Sequence, residues 1–173
     1  MLSDFTFEKL QAEDLESILR IRNQEDVRNA SFNKKVISFE EHLCWFKSKK
    51  ASGFFHHYVL KDKENVIGVG YGENFCEDDH SCLWGFYADQ NYKSGIKVGS
   101  IIKYLLFEKL FELDEIKQIR CEVLEEFEWI KDWHIRWGHK MNNFNKFKNS
   151  YEMSLDQEHW MKIRDGIKEK KLQ

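Results

Sequence analysis

The chain has 173 residues, 42% hydrophobic and 33% charged, with a formal charge of −3 and a sequence pI of about 6.2. That balance excludes the basic footprint of a general nucleic-acid binder. No apolar run approaches the roughly 20 residues needed to cross a bilayer, so no membrane partner is expected. The length predicts one domain over 1–173 with a substantial core. The start, Met1-Leu2-Ser3-Asp4-Phe5, has no basic region followed by an apolar block, so a signal peptide is not expected. Cys44, Cys76, Cys82 and Cys121 form no C-x-x-C pair, and the plain reading is a cytoplasmic protein with reduced thiols.

Residues 5–10 alternate and read as an opening strand. A helix is predicted over 12–23, with Leu15, Ile18, Leu19 and Arg22 on one face. Residues 23–35 are polar and read as loop. Ser38 and Glu41 form a capping-box pair that opens a second helix, with His42, Trp45 and Phe46 following on one side. Residues 56–61 and 65–72 read as a hairpin turning at Asp62-Lys63-Glu64-Asn65. A third strand at 82–88 follows the acidic connection Glu77-Asp78-Asp79. Cys76, Asp78, Asp79, His80 and Cys82 are metal-ligand types, but no second ligand pair accompanies them, and no metal is expected.

The turn Tyr92-Lys93-Ser94-Gly95-Ile96-Lys97-Val98-Gly99-Ser100 then follows a strand and opens a helix over 96–113. That helix carries Val98, Ile101, Ile102, Leu105, Leu106 and Leu110 on its apolar side. Main-chain N–H groups at such a junction are unpaired, and the helix dipole adds partial positive charge, which suits a pyrophosphate. Lys93 and Lys97 attract phosphate, while Gly95 and Gly99 allow close backbone approach. A strand is predicted over 118–124. Phe127, Ile130, Trp133, His134 and Trp137 mark the next helix, ended by Gly138. Residues 144–153 read as one or two late strands. Ser154 with Gln157 is predicted to cap a final helix through Trp160, Ile163 and Ile167, whose tail over 168–173 should fray. The sum is a mixed α/β domain. Its oligomeric state stays open between a monomer and a homodimer, with the helix around Trp160 packing on this domain or on a partner.

In this order the segments resemble the GCN5-related N-acetyltransferase superfamily, and within it the nucleotide-sugar N-acetyltransferases of the pseudaminic acid pathway. Ile21-Arg22-Asn23 matches an element ending the first helix, and 37–42 with Trp45-Phe46 matches the second helix. Ile67-Gly68-Val69-Gly70 and Leu83-Trp84-Gly85-Phe86-Tyr87 match the central strands, 94–100 the pyrophosphate turn, and Glu122-Val123-Leu124-Glu125 the strand that follows. The resemblance implies a mostly antiparallel sheet with splayed fourth and fifth strands (81–89 and 117–124), and acetyl-CoA as co-substrate. It implies direct transfer to the primary amine of a nucleotide-linked deoxyamino sugar. Three departures stand out. Ser94 and Lys97 occupy turn positions where the family usually has Arg or Gln and the first Gly. Glu125-Glu126-Phe127-Glu128 stands where an Asn is common, and His134 where a Tyr commonly protonates the thiolate.

Acetyl transfer needs a neutral amine, donors for the developing oxyanion and a proton for the thiolate. A main-chain N–H near Trp84, Gly85 and Phe86 is the candidate oxyanion donor. Lys93, Ser94, Gly95, Ile96, Lys97, Val98, Gly99 and Ser100 are the candidate pyrophosphate contacts. His134 is the candidate acid, against a packed core histidine. Glu73 and Glu122 are the candidate bases, against solvated carboxylates. Arg22, Asn23 and His42 are implied to lie on the acceptor side. The Arg22 fork suits a phosphate, against a helix-end ion pair. Tyr71, with Phe32, Trp45, Trp84 and Phe86, offers rings to stack a base or sugar, against ordinary core packing. No cysteine stands where an acyl-enzyme is suggested. Two other readings are an N-acetyltransferase of protein N-termini or another small amine, and a non-catalytic acyl-CoA-binding domain.

Overall fold

The computed structural model describes residues 4–92 and 97–172. Its strands are β1 (Phe5–Lys9), β2 (His56–Asp62), β3 (Asn65–Cys76), β4 (Ser81–Ala88), β5 (Gln118–Leu124), β6 (Lys140–Asn145) and β7 (Ser150–Asp156). Its helices are α1 (Leu15–Arg22), α2 (Glu25–Asn29), α3 (Phe39–Ala51), α4 (Val98–Phe111), α5 (Glu128–Ile135) and α6 (Gln157–Lys171). A 7-stranded sheet runs β1-β2-β3-β4-β5-β7-β6. Every neighbouring pair is antiparallel except β4 with β5. This is the mixed α/β architecture implied by the family resemblance.

Alternation along the strands builds two apolar layers. On one face Val59 and Val69 join Leu15, Ile18 and Ile21 of α1, Val27 of α2 and Phe46 of α3. On the other, Tyr58, Trp84, Ile119 and Met153 join Phe107 and Leu110 of α4 and Trp160 and Ile167 of α6. Each such large side chain contributes about 2 kcal/mol on burial.

α4 is buried on nearly all sides, which its sequence foreshadows only on one. The reason lies in β3. Gly68, Gly70 and Gly72 alternate on one face of that strand and form a groove without side chains. The i, i+4, i+8 ridge of α4 lies in it. Built Cβ atoms at Gly70 and Gly72 would stand 2.8 Å from Ile102 Cγ2 and 2.6 Å from a Leu110 methyl. At Gly68 the Cβ would strike Ile102 and lie 3.0 Å from the Tyr87 carbonyl oxygen.

Several expectations are corrected. The segment over 23–35 is not all loop, since Glu25–Asn29 forms α2 and buries Val27. Ser154 does not cap the last helix. It lies in β7, its hydroxyl donates to Asn142 Oδ1 at 3.1 Å, and Asp156 takes the N-cap position. α6 runs to Lys171, and Leu172 packs against the core. Trp160 packs on its own domain, where its indole N–H donates to Glu108 Oε1 at 2.8 Å. By contrast, the Ser38–Glu41 capping box is present in full. The hairpin of β2 and β3 also turns where predicted, and Lys63 there takes a φ of 53°.

Gly68→Val is expected to lower the unfolding free energy by about 1–3 kcal/mol, since the new methyls meet backbone as well as Ile102. Gly166→Ala, on α6 with nothing within 4 Å of its Cβ position, should raise it by about 0.5–1 kcal/mol. Urea unfolding of both variants checks the pair. A neutral Gly68→Val would show that the groove is not tightly filled.

Candidate active site

The parallel pair β4–β5 is short. Its register covers Ser81↔Gln118, Cys82↔Ile119 and Leu83↔Arg120 and no further. Beyond that point Trp84, Gly85, Phe86, Tyr87 and Ala88 on one strand, and Cys121 to Leu124 on the other, line the two walls of a single cleft of about 1240 Å³. Successive N–H groups along a strand point to opposite sides. Some of those between Trp84 and Ala88 therefore face away from β3 into the gap.

One end of the cleft is the start of α4. Lys97, Gly99 and Ser100 line it, Ser100 being buried. Val98 turns into the core with Ile101 and Ile102 and does not line the cleft. Lys93, Ser94, Gly95 and Ile96 lie outside the described residues. A Cβ on Gly99 would stand 2.9 Å from Phe86 Cε2, so the glycine and that ring share one wall.

The other end is built by α1, α2 and the irregular segment after them. Arg22 donates from Nη2 to the Asn33 carbonyl at 2.7 Å, while Nη1 is buried without a hydrogen-bond partner. Arg28 donates to the Asn23 and Lys34 carbonyls, each at 3.1 Å. Asn23 does not line the cleft. It pins the segment instead, donating to the Ile37 carbonyl at 2.8 Å and accepting from the Ile37 N–H at 2.9 Å. Lys34 pairs with Glu126 at 3.0 Å and so ties this segment to the turn that precedes α5. Exposed Phe32 and Trp129 stand on the lining, and Tyr71 forms part of the wall beside Gly85. A Cβ on Gly85 would strike the Tyr71 ring, so that glycine makes the room.

The structure separates two other candidates from the cleft. His42 is buried and stacks on Trp45 with ring centroids 4.9 Å apart. Burial, with the nearby Arg22 charge, lowers its pKa. Glu73 pairs with Lys49 and accepts from or faces His57 Nε2 at 3.2 Å, on the α3 side of the sheet. Those two partners hold the Glu73 carboxyl below its usual range despite the opposing effect of burial. Glu122 does line the cleft, but Lys148 holds both its oxygens, at 2.8 and 3.0 Å.

His134 lines the cleft floor and is 4% exposed. Its Nδ1 lies 2.6 Å from Nζ of Lys103, a fully buried lysine on α4. The rings of Trp133, Trp137, Trp84 and Phe107 surround that nitrogen, with centroids 4.0, 4.9, 5.2 and 5.7 Å away. Sequence reasoning missed Lys103. The available signal was one cation inside the apolar run Val98 to Phe111, at a position that the helix buries. Gly138, with φ 87°, ends α5 as predicted. Its N–H donates to the Ile135 carbonyl at 2.9 Å and that of His139 to the His134 carbonyl at 3.1 Å, a Schellman closure. This folds the His139 ring to 5.1 Å from His134.

Cys121 also stands on the cleft wall, which the sequence did not indicate. Burial pushes its thiol up to about 12, so it stays protonated and is a poor nucleophile. Nitrogen or sulfur atoms of Cys121, His134 and His139 lie within 4.8 Å of one another. The Lys103 nitrogen on the same imidazole opposes a metal cation there, because two positive charges would share a water-poor site.

Burial first, then the Lys103 charge, hold both His134 and His139 well below the ordinary histidine value. The unfolded chain therefore binds protons that the folded chain refuses. Stability from these rings is full above about pH 6.5 and falls as pH drops below it, by about 1.4 kcal/mol per pH unit for each ring that stays neutral. Unfolding free energies at pH 7.5, 6.5 and 5.5 should decline on the acid side. His139→Gln should flatten that decline, and a slope unchanged by this variant would contradict the assignment.

No protein-family model matches the chain. It is 28% identical over 120 residues to the acetyltransferase PseH of Campylobacter jejuni strain 81-176, covering 69% of this chain and 73% of that protein. It is 26% identical over 163 residues to PseH of C. jejuni strain NCTC 11168, covering 88% and 92%. Among solved structures, the spermidine N-acetyltransferase from Vibrio cholerae in complex with CoA and spermine superposes with a TM-score of 0.81 at 15% identity, over 92% of this chain and 99% of that one. The chain has the GCN5-related N-acetyltransferase fold, and the relatives it resembles in sequence are PseH acetyltransferases.

Proposed function

We propose that this protein is an acetyl-CoA dependent N-acetyltransferase that acts on the primary amine of a nucleotide-linked deoxyamino sugar in the cytoplasm. The β4–β5 gap carries the acetyl-transfer part of this reading. An extended amide chain such as the CoA arm satisfies open strand edges as an added strand does. The start of α4, with Lys97, Gly99 and Ser100, suits the pyrophosphate. An inward N–H of Trp84, Gly85 or Phe86 would donate to the oxyanion.

The acceptor part rests on Arg22. Arg22 lines the cleft and its buried Nη1 has no hydrogen-bond partner, so a phosphate oxygen that reached it would satisfy a donor the protein leaves open. Phe32 and Trp129, 56% and 67% exposed, offer faces to a base. The lining sets Arg22, Lys34, Lys97 and Arg136 against Asp26, Glu122 and Glu126, with Lys34 paired to Glu126, so the choice between a phosphate-bearing acceptor and a polyamine is left to the substrate panel below. Glu122, one of three carboxylates on the lining with Asp26 and Glu126, would take the amine proton, with Lys148 orienting it. The protonated Cys121 thiol favours direct transfer over an acyl-enzyme. Among the described residues no helix is long and apolar enough to cross a membrane.

Calorimetry with acetyl-CoA and CoA should give micromolar binding. Thiol release should then be fastest with nucleotide-linked amino sugars in a panel that also holds spermidine and peptides with free N-termini. Binding without turnover on any amine would favour a non-catalytic domain. Gly99→Leu should drive Phe86 into the cleft and weaken CoA at least about tenfold, and unaltered affinity would remove CoA from this end. Arg22→Lys keeps the charge and loses the fork. It should raise KM for the nucleotide sugar about ten- to hundredfold and leave acetyl-CoA affinity unchanged. An equal effect on both substrates would refute the phosphate assignment.

A further inference from the structure

The buried pair on the cleft floor has a chemistry of its own. Lys103 Nζ stands 2.6 Å from His134 Nδ1, and Lys103 is 0% exposed. Four aromatic rings take the place of water around the ammonium, and their negative faces stabilise its charge. An ammonium has three donors and no lone pair. Nδ1 must therefore accept, and a neutral ring that accepts at Nδ1 carries its proton on Nε2. Among the described residues, other polar groups packed around the pair include Trp84 on β4, Cys121 with the neighbouring Glu122 on β5, and Trp133, Trp137 and His139 on and after α5. The Cys121 thiol stays protonated, and His139 is held neutral by burial. Lys103 is thus a cationic proton source in direct contact with the ring.

We propose that Lys103 is a positioning residue for acetyl transfer: it fixes His134 as the Nε2–H tautomer and replaces the proton that His134 gives to the departing thiolate. This rests on the acetyl-transfer reading above. The amine nitrogen bonds to the thioester carbonyl carbon, and the tetrahedral species collapses with the C–S pair moving to sulfur. The Nε2 proton passes to sulfur and forms the thiol, while an Nζ proton passes to Nδ1. Lys103 is left as a neutral amine and His134 as its Nδ1–H form. The surplus proton on the former amine nitrogen leaves to a carboxylate or water. After the thiol departs, Nε2 takes a proton from cleft water and Nδ1 returns one to Lys103. A neutral histidine, which alone is a weak acid, thereby donates without passing through an imidazolium.

Two measurements test this. The first is nitrogen-15 NMR of histidine-labelled wild-type protein, with the His134 signals identified by their loss in His134→Gln. The expected result is Nε2 protonated and Nδ1 an acceptor; Nδ1–H as the resting form overturns the proposal. This readout needs neither a variant of Lys103 nor a known acceptor, so it stands even if no amine is ever acetylated. The second is a double-mutant cycle on the amine that the wild type uses best. Lys103→Met should lower kcat about a hundredfold, with KM for acetyl-CoA within about twofold. Placed in a His134→Gln background, the same change should cost less than about twofold further, because Lys103 acts through His134. Additive losses, or an unchanged kcat in Lys103→Met, overturn the proposal. If Lys103→Met does not fold, Lys103→Arg replaces it. An arginine keeps the charge and the donor but does not release its proton, so the tautomer should persist while kcat falls. A kcat equal to wild type in Lys103→Arg also overturns it.

Discussion

The site depends on how closely α4 lies against β3. Glycines at 68, 70 and 72 leave a stretch of one face of that strand without side chains, and Ile102, Leu106 and Leu110 fill the space. Helix and sheet then approach more closely than an ordinary β-branched strand would permit. Two consequences follow from that single contact. The first turn of α4 is carried to the end of the β4–β5 gap, with Gly99 against Phe86. The next residue after Ile102 is forced inward as well, so Lys103 is sealed beneath Trp84 and Trp133 rather than reaching solvent. A lysine normally snorkels to water. Here its helix is enclosed on both sides, by the sheet and by α5 and α6.

The cleft itself is a break in a hydrogen-bonded ladder. Main-chain groups left open in a sheet are costly unless something pairs with them. β4 is satisfied by β3, and β5 by β7, but their facing edges part after Leu83 and Arg120. α5 keeps them apart. It places Trp133 and His134 on the floor between the strands, and the Gly138 closure brings His139 under them. The opening is therefore lined and backed by packed aromatic side chains.

Much of the fold is written in local patterns. The Ser38–Glu41 cap, the turn at Lys63, the alternating 118–124 strand and the Gly138 terminator each act through neighbours a few residues apart, and each lies where the sequence places it. What escapes the sequence is set at a distance. Ser154 carries a capping signature, yet β7 pairs with β5 and β6 through that position and the helix begins later. Glu73 and His42 have the right chemistry, but strand direction and helix rotation send them to Lys49, His57 and Trp45. Asn23 beside Arg22 resembles a second ligand contact, and it is a clamp on the chain at Ile37. Cys121 lines the cleft, and Lys103 reaches His134 beneath its floor, only through packing between segments far apart in sequence.

Two cations, Arg22 at one end of the cleft and Lys103 beneath its floor, make the physical case for its polarity. Arg22 is held by the Asn33 carbonyl, and its buried Nη1 has no hydrogen-bond partner. Lys103 is held by aromatic faces at the floor and directs its proton to an imidazole. Burying either charge is expensive, and an apolar residue of similar volume would stabilise the fold at least as well. Stability therefore does not account for them. On the proposed reading both offset negative charge, though of different kinds. At Arg22 the charge is permanent, so a fixed fork with an open donor suits it. At the floor the charge exists only while the C–S bond breaks. A bare ammonium there would attract any resident anion equally before and after the reaction. A neutral histidine set in front of it responds only when a proton is needed, so the stabilisation is spent on the transition state and not on the bound thiol.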